Sequence, residues 1–162
     1  MWLYNGKLVE EKTSWVDEHG TRHPPNWNSV WSDADKINAG MKEVADVAKP
    51  SETFYKDIIR NEDGTYSSTE RGLEELKTQY LVSTKSAARS RLAVSDWQII
   101  AKTEREREID EATTTYREAV RSACDAIETK ISSCNSLDEF KALFVTPEDG
   151  KAPIHDWPKL EE

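Results

Sequence analysis

The chain has 162 residues, with 22 Lys or Arg against 31 Asp or Glu and a formal charge of −9 at pH 7. This length suits roughly one domain, or a small module with an extension, and a composition of 36% hydrophobic and 33% charged residues allows only a thin core. The acidic excess argues against a nucleic-acid partner, no apolar run approaches the roughly 20 residues of a membrane span, and the N-terminus lacks a signal-peptide pattern.

Composition divides the chain into three segments. Residues 1–67 hold four of the six tryptophans and most of the turn-forming residues, which predicts a β-rich docking unit. Residues 68–146 have a helical pattern and contain only Gly72 as a helix breaker, and the proline-bearing residues 147–162 predict an extended tail. We therefore expect an α+β fold, in which a small antiparallel β unit precedes a long antiparallel helical hairpin with a short third helix.

Turn and capping signals predict the elements of the first segment. Asn5-Gly6 is a hairpin dipeptide inside a weakly alternating Met1–Val9. Ser32 with Asp35 three residues later predicts a capping box for a short helix ending at Gly40. Further strands are predicted at Ser14–Val16, Met41–Val47 and Thr53–Arg60, the last closed by a turn at Asn61–Gly64 onto Thr65–Ser67.

Helical periodicity begins after residue 67. Ser67, Ser68 and Thr69 are all suitable N-caps for a first long helix. A second long helix is predicted from about Thr103 to Cys134, and Ser136 is predicted to start a third. The apolar stripe expected on the second helix consists of Ile109, Ala112, Tyr116, Ala119, Val120, Ala123, Ile127 and Ile131, with Arg117 on the opposite, polar face.

Ser95-Asp96-Trp97 separates the two long helices. A Ser-Asp pair suits a helix N-cap, and we expect the Trp97 indole to be buried between the helices, where it would fix their crossing. Tyr116 and Arg117 are placed to cover that indole or to bond its neighbours. This arrangement favours packing over chemistry.

Candidate chemical groups are few. Asp17, His19 and His23 lie close together in sequence, but the neighbouring Gly20 and Pro24 favour a solvated turn over a metal site. Cys124 and Cys134 are too far apart along a helix for a disulfide and suit an intracellular product. We therefore predict no catalytic residue, no cofactor and no metal, and we interpret the tryptophans as core or interface anchors.

Several short patterns follow one another in a characteristic order. They are Asp17-Glu18-His19-Gly20, Pro25-Asn26-Trp27, Trp31-Ser32, Gly40, Phe54-Tyr55, Ser95-Asp96-Trp97, Tyr116-Arg117-x-x-Val120-Arg121 and Asp156-Trp157-Pro158. In this order they resemble the tail-fibre assembly proteins and related tail proteins of tailed bacteriophages. The chain departs from the pattern at Ala119-Val120-Arg121, where many relatives have leucine before the arginine, and in its longer acidic run at Glu104–Glu111.

The resemblance implies a non-enzymatic structural protein of the tail, baseplate or fibre-attachment region, made in the host cytoplasm and located in the virion. The alternative is a tail-fibre assembly chaperone that is absent from the mature virion. Either role implies other phage tail or fibre proteins as partners, with a homo-oligomer possible and no nucleic acid or membrane. The side chains expected to act as interface or structural anchors are Trp27, Trp31, Trp97, Tyr116, Ile154, Trp157 and Leu160.

Overall fold

A computed structural model describes residues 1–148 and 150–159. It confirms an α+β fold with small antiparallel strands first and helices after. The described chain forms two compact units, Met1–Glu70 and Arg71–Glu162. The boundary lies three residues after the predicted one, and the proline-bearing tail belongs to the second unit.

The first unit contains three small antiparallel sheets. A three-stranded sheet has the order β2-β1-β5, and the other two are the hairpins β3-β4 and β6-β7. Asn5 and Gly6 both have positive φ in the β1-β2 turn, as a primed hairpin turn requires. The seven strands are β1 (Trp2–Tyr4), β2 (Lys7–Leu8), β3 (Trp15–Val16), β4 (Arg22–His23), β5 (Met41–Glu43), β6 (Tyr55–Arg60) and β7 (Tyr66–Glu70).

Two short helices, α1 (Trp27–Val30) and α2 (Asp33–Asn38), lie between β4 and β5. The predicted capping box of α2 is confirmed, because the Ser32 hydroxyl accepts from the Asp35 N–H at 3.2 Å and the Asp35 carboxylate accepts from the Ser32 N–H at 3.0 Å. The core of the unit consists of Trp2, Val9, Trp27 and Met41.

The second unit is helical. Its elements are α3 (Leu73–Ala93), α4 (Asp96–Arg105), α5 (Glu111–Ser133), α6 (Leu137–Ala142) and a 3-10 turn at Pro153–His155. Helices α3 and α5 run antiparallel, because Lys85 pairs with Glu128 whereas Leu92, further along α3, accepts from Arg117, further back on α5. The link between them is a ten-residue helix and a loop rather than the simple corner of a hairpin.

The start of the helical region was predicted too early. Ser67, Ser68 and Thr69 do not cap a helix but lie in β7, where Ser67 pairs with Ile59 and Thr69 with Lys56. Gly72 is the N-cap of α3. The reason is that β6 pairs with the chain as far as Glu70, and the local sequence of β7 does not indicate this pairing with a distant strand.

Candidate functional site

An aromatic cluster lies in the first unit. The Trp15 ring is 4.3 Å from the His23 ring, 4.7 Å from the Tyr4 ring and 6.4 Å from the Trp31 ring, measured between centroids. Trp31 is partly buried against this cluster, whereas Trp27 is fully buried in the core. Trp27 is thus a structural anchor and is not available to a partner.

Asp17 organises the turn between β3 and β4. Its Oδ1 accepts from the N–H groups of His19 at 2.9 Å and Thr21 at 2.8 Å, and its Oδ2 lies 3.1 Å from His23 Nε2. Burial raises the pKa of the Asp17 carboxyl, but the hydrogen bonds from Thr21, His23 and His19 outweigh it, so the pKa lies below its ordinary value.

His19 does not join that pair as a third metal ligand, since its ring lies at the surface beside Glu18. Within the described ranges, no three His, Cys, Asp or Glu side chains converge as a metal site. Asp17 and His23 are mostly buried, whereas residues 18–22 between them are exposed, as expected of a solvated turn.

Arg117 connects the second unit's three main helices. Its Nη1 donates to the Leu92 carbonyl at 2.8 Å, to the Ser95 hydroxyl at 2.8 Å and to the Asp96 carboxylate at 2.9 Å. The whole residue is only 8% exposed. Its predicted place on the solvent face of α5 is therefore wrong, although its predicted bonding to the neighbours of Trp97 is present.

Ser95 and Asp96 serve as acceptors for Arg117 instead of capping α4. The Ser95 hydroxyl donates to the Leu92 carbonyl at 3.2 Å and makes no side-chain cap to α4. The same corner holds Thr113, which is capped by Asp110 at the start of α5 and accepts from the Gln98 amide at 3.2 Å. Polar groups rather than an indole thus fill the corner.

The sequence contained a signal for this arrangement. The buried residues of α5 are spaced by four, three, four, three and four positions, and the first two are polar. They are Thr113, Arg117, Val120, Cys124, Ile127 and Ile131. A spacing that alternates between four and three positions is typical of the buried side of a helix that packs against one partner helix. It was missed because the predicted stripe accepted only apolar residues, and thereby included Ala112, which is exposed.

Trp97 is not buried between the long helices. It is 53% exposed, and the Arg107 guanidinium lies 5.6 Å from its ring centroid. All ten residues of α4 are described and none of them is buried. Ser95 and Arg117 occupy the corner between α3 and α5. The Trp97 indole, on α4, therefore lies outside that corner and is exposed to solvent.

Three exposed apolar side chains lie at the start of α4 and just before it. Ile100 is 55% exposed and lies three positions from Trp97 on α4, a spacing that places neighbours on one helix face. Val94, which is 65% exposed, lies in the turn just before α4. We call Val94, Trp97 and Ile100 the corner face.

The C-terminal segment packs onto the helices. Ile154 and Trp157 are both buried, the Ile154 N–H donates to the Leu143 carbonyl at 3.1 Å, and the Arg91 guanidinium lies 4.5 Å from the Trp157 ring centroid. These two side chains are thus core residues of the second unit.

Of the two remaining predicted anchors, Tyr116 and Leu160, only Tyr116 is among the residues that the structure describes. Tyr116 is partly buried and lines a groove of about 660 Å³ with Pro158 and Lys159. Leu160 lies outside the described residues.

Cys124 and Cys134 are buried free thiols. Burial, followed by the hydrogen bond and the charge of Glu128, raises the pKa of the Cys124 thiol to about 11. Burial also raises the pKa of Cys134, with Glu139 adding to it. Neither thiol is activated for nucleophilic chemistry, which requires a lowered pKa.

Comparison with known proteins returned no matching family model, no curated protein and no solved structure. Of the helices that the structure describes, none combines the length and apolar character required to cross a bilayer.

Proposed function

We propose that this chain is a non-enzymatic structural protein of a bacteriophage tail, located in the tail, baseplate or fibre-attachment region of the virion. The corner face is the observation that supports this proposal best. It presents Trp97 and Ile100 on a helix without a buried residue among its ten described positions, together with Val94 in the turn before that helix.

A helix as short as α4 is marginally stable in water on its own, and helices in proteins gain most of their stability from burying an apolar face. In α4 the apolar row lies outside. A partner that covered it would bury Val94, Trp97 and Ile100 together, and tryptophan is among the residues that contribute most to protein interfaces. The corner face is therefore suited to contact with another tail or fibre protein.

The viral setting of this proposal comes from the sequence resemblance alone. Two of the patterns that carry the resemblance, Ser95-Asp96-Trp97 and Tyr116-Arg117-x-x-Val120-Arg121, meet at this corner. Arg117 holds Asp96 and Ser95, and this contact fixes where α4 begins and so the direction in which Trp97 projects. In this proposal the motif specifies the shape of an interface rather than a reaction.

Quantitative mass spectrometry of purified virions tests the proposal. Virions assembled with the wild-type chain should contain it at a fixed ratio to other tail proteins, and Trp97→Ala with Ile100→Ala should lower that ratio severalfold. Val82→Ala is the matched control, because Val82 is 65% exposed on α3 away from the corner.

Absence of the wild-type chain from virions, together with defective fibres when it is deleted, would contradict the proposal and identify an assembly chaperone. Normal incorporation of the Trp97→Ala, Ile100→Ala variant would show that the corner face is not the contact.

A further inference from the structure

A second surface of the helical unit differs in charge from the rest of the chain. Among the described residues, a groove of about 460 Å³ between α3 and α5 is lined by the cations Lys85, Arg89, Arg117 and Arg121, but by only two carboxylates, Asp96 and Asp125. We call this the basic groove. It has a local positive excess in a chain whose formal charge is −9.

The cations of the basic groove form two pairs, each spaced by one helical turn. Lys85 and Arg89 lie on α3, and Arg117 and Arg121 lie on α5. Residues four apart are neighbours on a helix face. Each long helix thus contributes two neighbouring cations to the lining of the groove.

The inner part of the groove is apolar. Ala88 and Cys124 are buried and Leu92 is partly buried, and all three line the groove. The segment from Lys85 to Leu92 covers two helical turns, or about 10 Å at 1.5 Å per residue. The groove therefore has the apolar strip and the length that a short helix needs for docking.

Two of its cations have no partner among the residues that the structure describes. Arg89 and Arg121 are exposed, and among the described residues neither side chain has a hydrogen bond or an ion pair, whereas Lys85 lies 3.5 Å from Glu128 and Arg117 is held by Asp96. Neighbouring like charges repel, and carboxylates from another chain would relieve that repulsion while forming paired hydrogen bonds with the guanidinium groups.

We infer that the basic groove binds an acidic amphipathic helix of a partner protein. Its apolar side chains would lie over Ala88 and Leu92, and its Asp or Glu side chains would pair with Arg89 and Arg121. The long-range negative field of the chain disfavours a polyphosphate such as nucleic acid, whereas carboxylates presented singly beside apolar residues match the groove.

Fluorescence anisotropy with a labelled peptide tests this inference on the full chain, independently of any virion. The probe is a helical peptide of about sixteen residues, or four turns, with Leu on one face and Glu on its flanks. Its matched control has Gln in place of every Glu. The Glu peptide should bind, more tightly as salt falls, and the Gln peptide should bind at least tenfold more weakly.

Variants locate the binding. Arg89→Gln with Arg121→Gln should weaken binding about tenfold, the sum of two exposed ion pairs near the upper end of their range. Asp125→Asn should tighten binding severalfold, because it removes a carboxylate from the groove. Arg105→Gln with Lys130→Gln removes equal charge from exposed positions of the same unit outside the lining and should leave the affinity unchanged.

Circular dichroism identical to wild type would show that these exposed-residue variants remain folded. Three results would overturn the inference: equal binding of the Glu and Gln peptides, unchanged affinity in the Arg89→Gln, Arg121→Gln variant, or tighter binding of a labelled single-stranded oligonucleotide. Analytical ultracentrifugation provides a further test. A wild-type chain that is dimeric, with a double variant that is monomeric, would overturn the inference and identify a second copy of the chain as the occupant of the groove.

Discussion

The Arg117 guanidinium in α5 donates to the Asp96 carboxylate at 2.9 Å, although the two residues are 21 positions apart. Arg117 is nearly buried whereas Asp96 is largely exposed. The buried guanidinium also satisfies the Leu92 carbonyl and the Ser95 hydroxyl, so one side chain closes the end of α3 and positions the start of α4.

Arg117→Ala should destabilise the helical unit by about 2–3 kcal/mol, because charge-assisted hydrogen bonds are lost and the buried Ser95 hydroxyl is left without a donor. Urea unfolding followed by far-UV circular dichroism measures this change. Arg121→Ala, one turn along the same helix but exposed, should change stability by less than about 0.5 kcal/mol. Equal effects of the two substitutions would contradict the role of Arg117.

Trp97→Ala should cost less than about 1 kcal/mol, since an exposed side chain loses little packing. Trp157→Ala should cost about 3–5 kcal/mol, the range for truncating a buried aromatic residue. Thermal unfolding of the two variants side by side compares one indole outside the core with one inside it. A large loss for Trp97→Ala would show that its indole is buried.

Deletion of Pro153–Glu162 should destabilise the helical unit rather than leave it intact. It removes Ile154 and Trp157 from the core and leaves the Leu143 carbonyl without its donor. We expect a lower unfolding midpoint, measured by thermal circular dichroism. Ile154→Ala should reproduce part of the effect, about 2–4 kcal/mol, whereas the exposed Lys159→Ala should have almost none; an unchanged midpoint after the deletion would show that the segment adds no stability.

The first unit should lose stability in acid because of Asp17. Its pKa is lowered in the folded chain, so its contribution is fully present above the unfolded value of about 3.9 and is lost as the pH falls through the folded value. Unfolding measured by tryptophan fluorescence between about pH 6 and pH 2 should show this loss. Asp17→Asn should lower the free energy of unfolding at pH 7 and flatten its dependence on pH below about pH 4. If the variant's free energy of unfolding falls as steeply with pH as that of the wild type, the loss comes from other carboxyl groups.

Cys124 and Cys134 should react slowly with a thiol reagent in the native chain. With a pKa of about 11, about one Cys124 thiol in a thousand is ionised at pH 8, and burial restricts access further. Both thiols should react fully in denaturant. Rapid native reaction, or a disulfide found under nonreducing conditions, would contradict the burial of these residues.

Sequence alone determined the elements whose stabilising contacts are local. The Asn5-Gly6 turn, the Ser32-Asp35 capping box and the Ser136 cap of α6 were all predicted, and all are present. Each depends on backbone conformation and hydrogen bonds within a few residues, so the chain's own order contains the information.

Tertiary structure alone decided which residues are buried where distant segments meet. Ser67–Thr69 are good helix caps locally, but pairing with β6 makes them a strand. Arg117 is polar, yet it is buried because acceptors 21 to 25 positions away satisfy its guanidinium. Since Arg117 occupies the interhelical corner, Trp97 remains exposed to solvent. Hydrophobicity predicts a tendency toward burial, but the neighbours available at each position decide whether a side chain lies in the core.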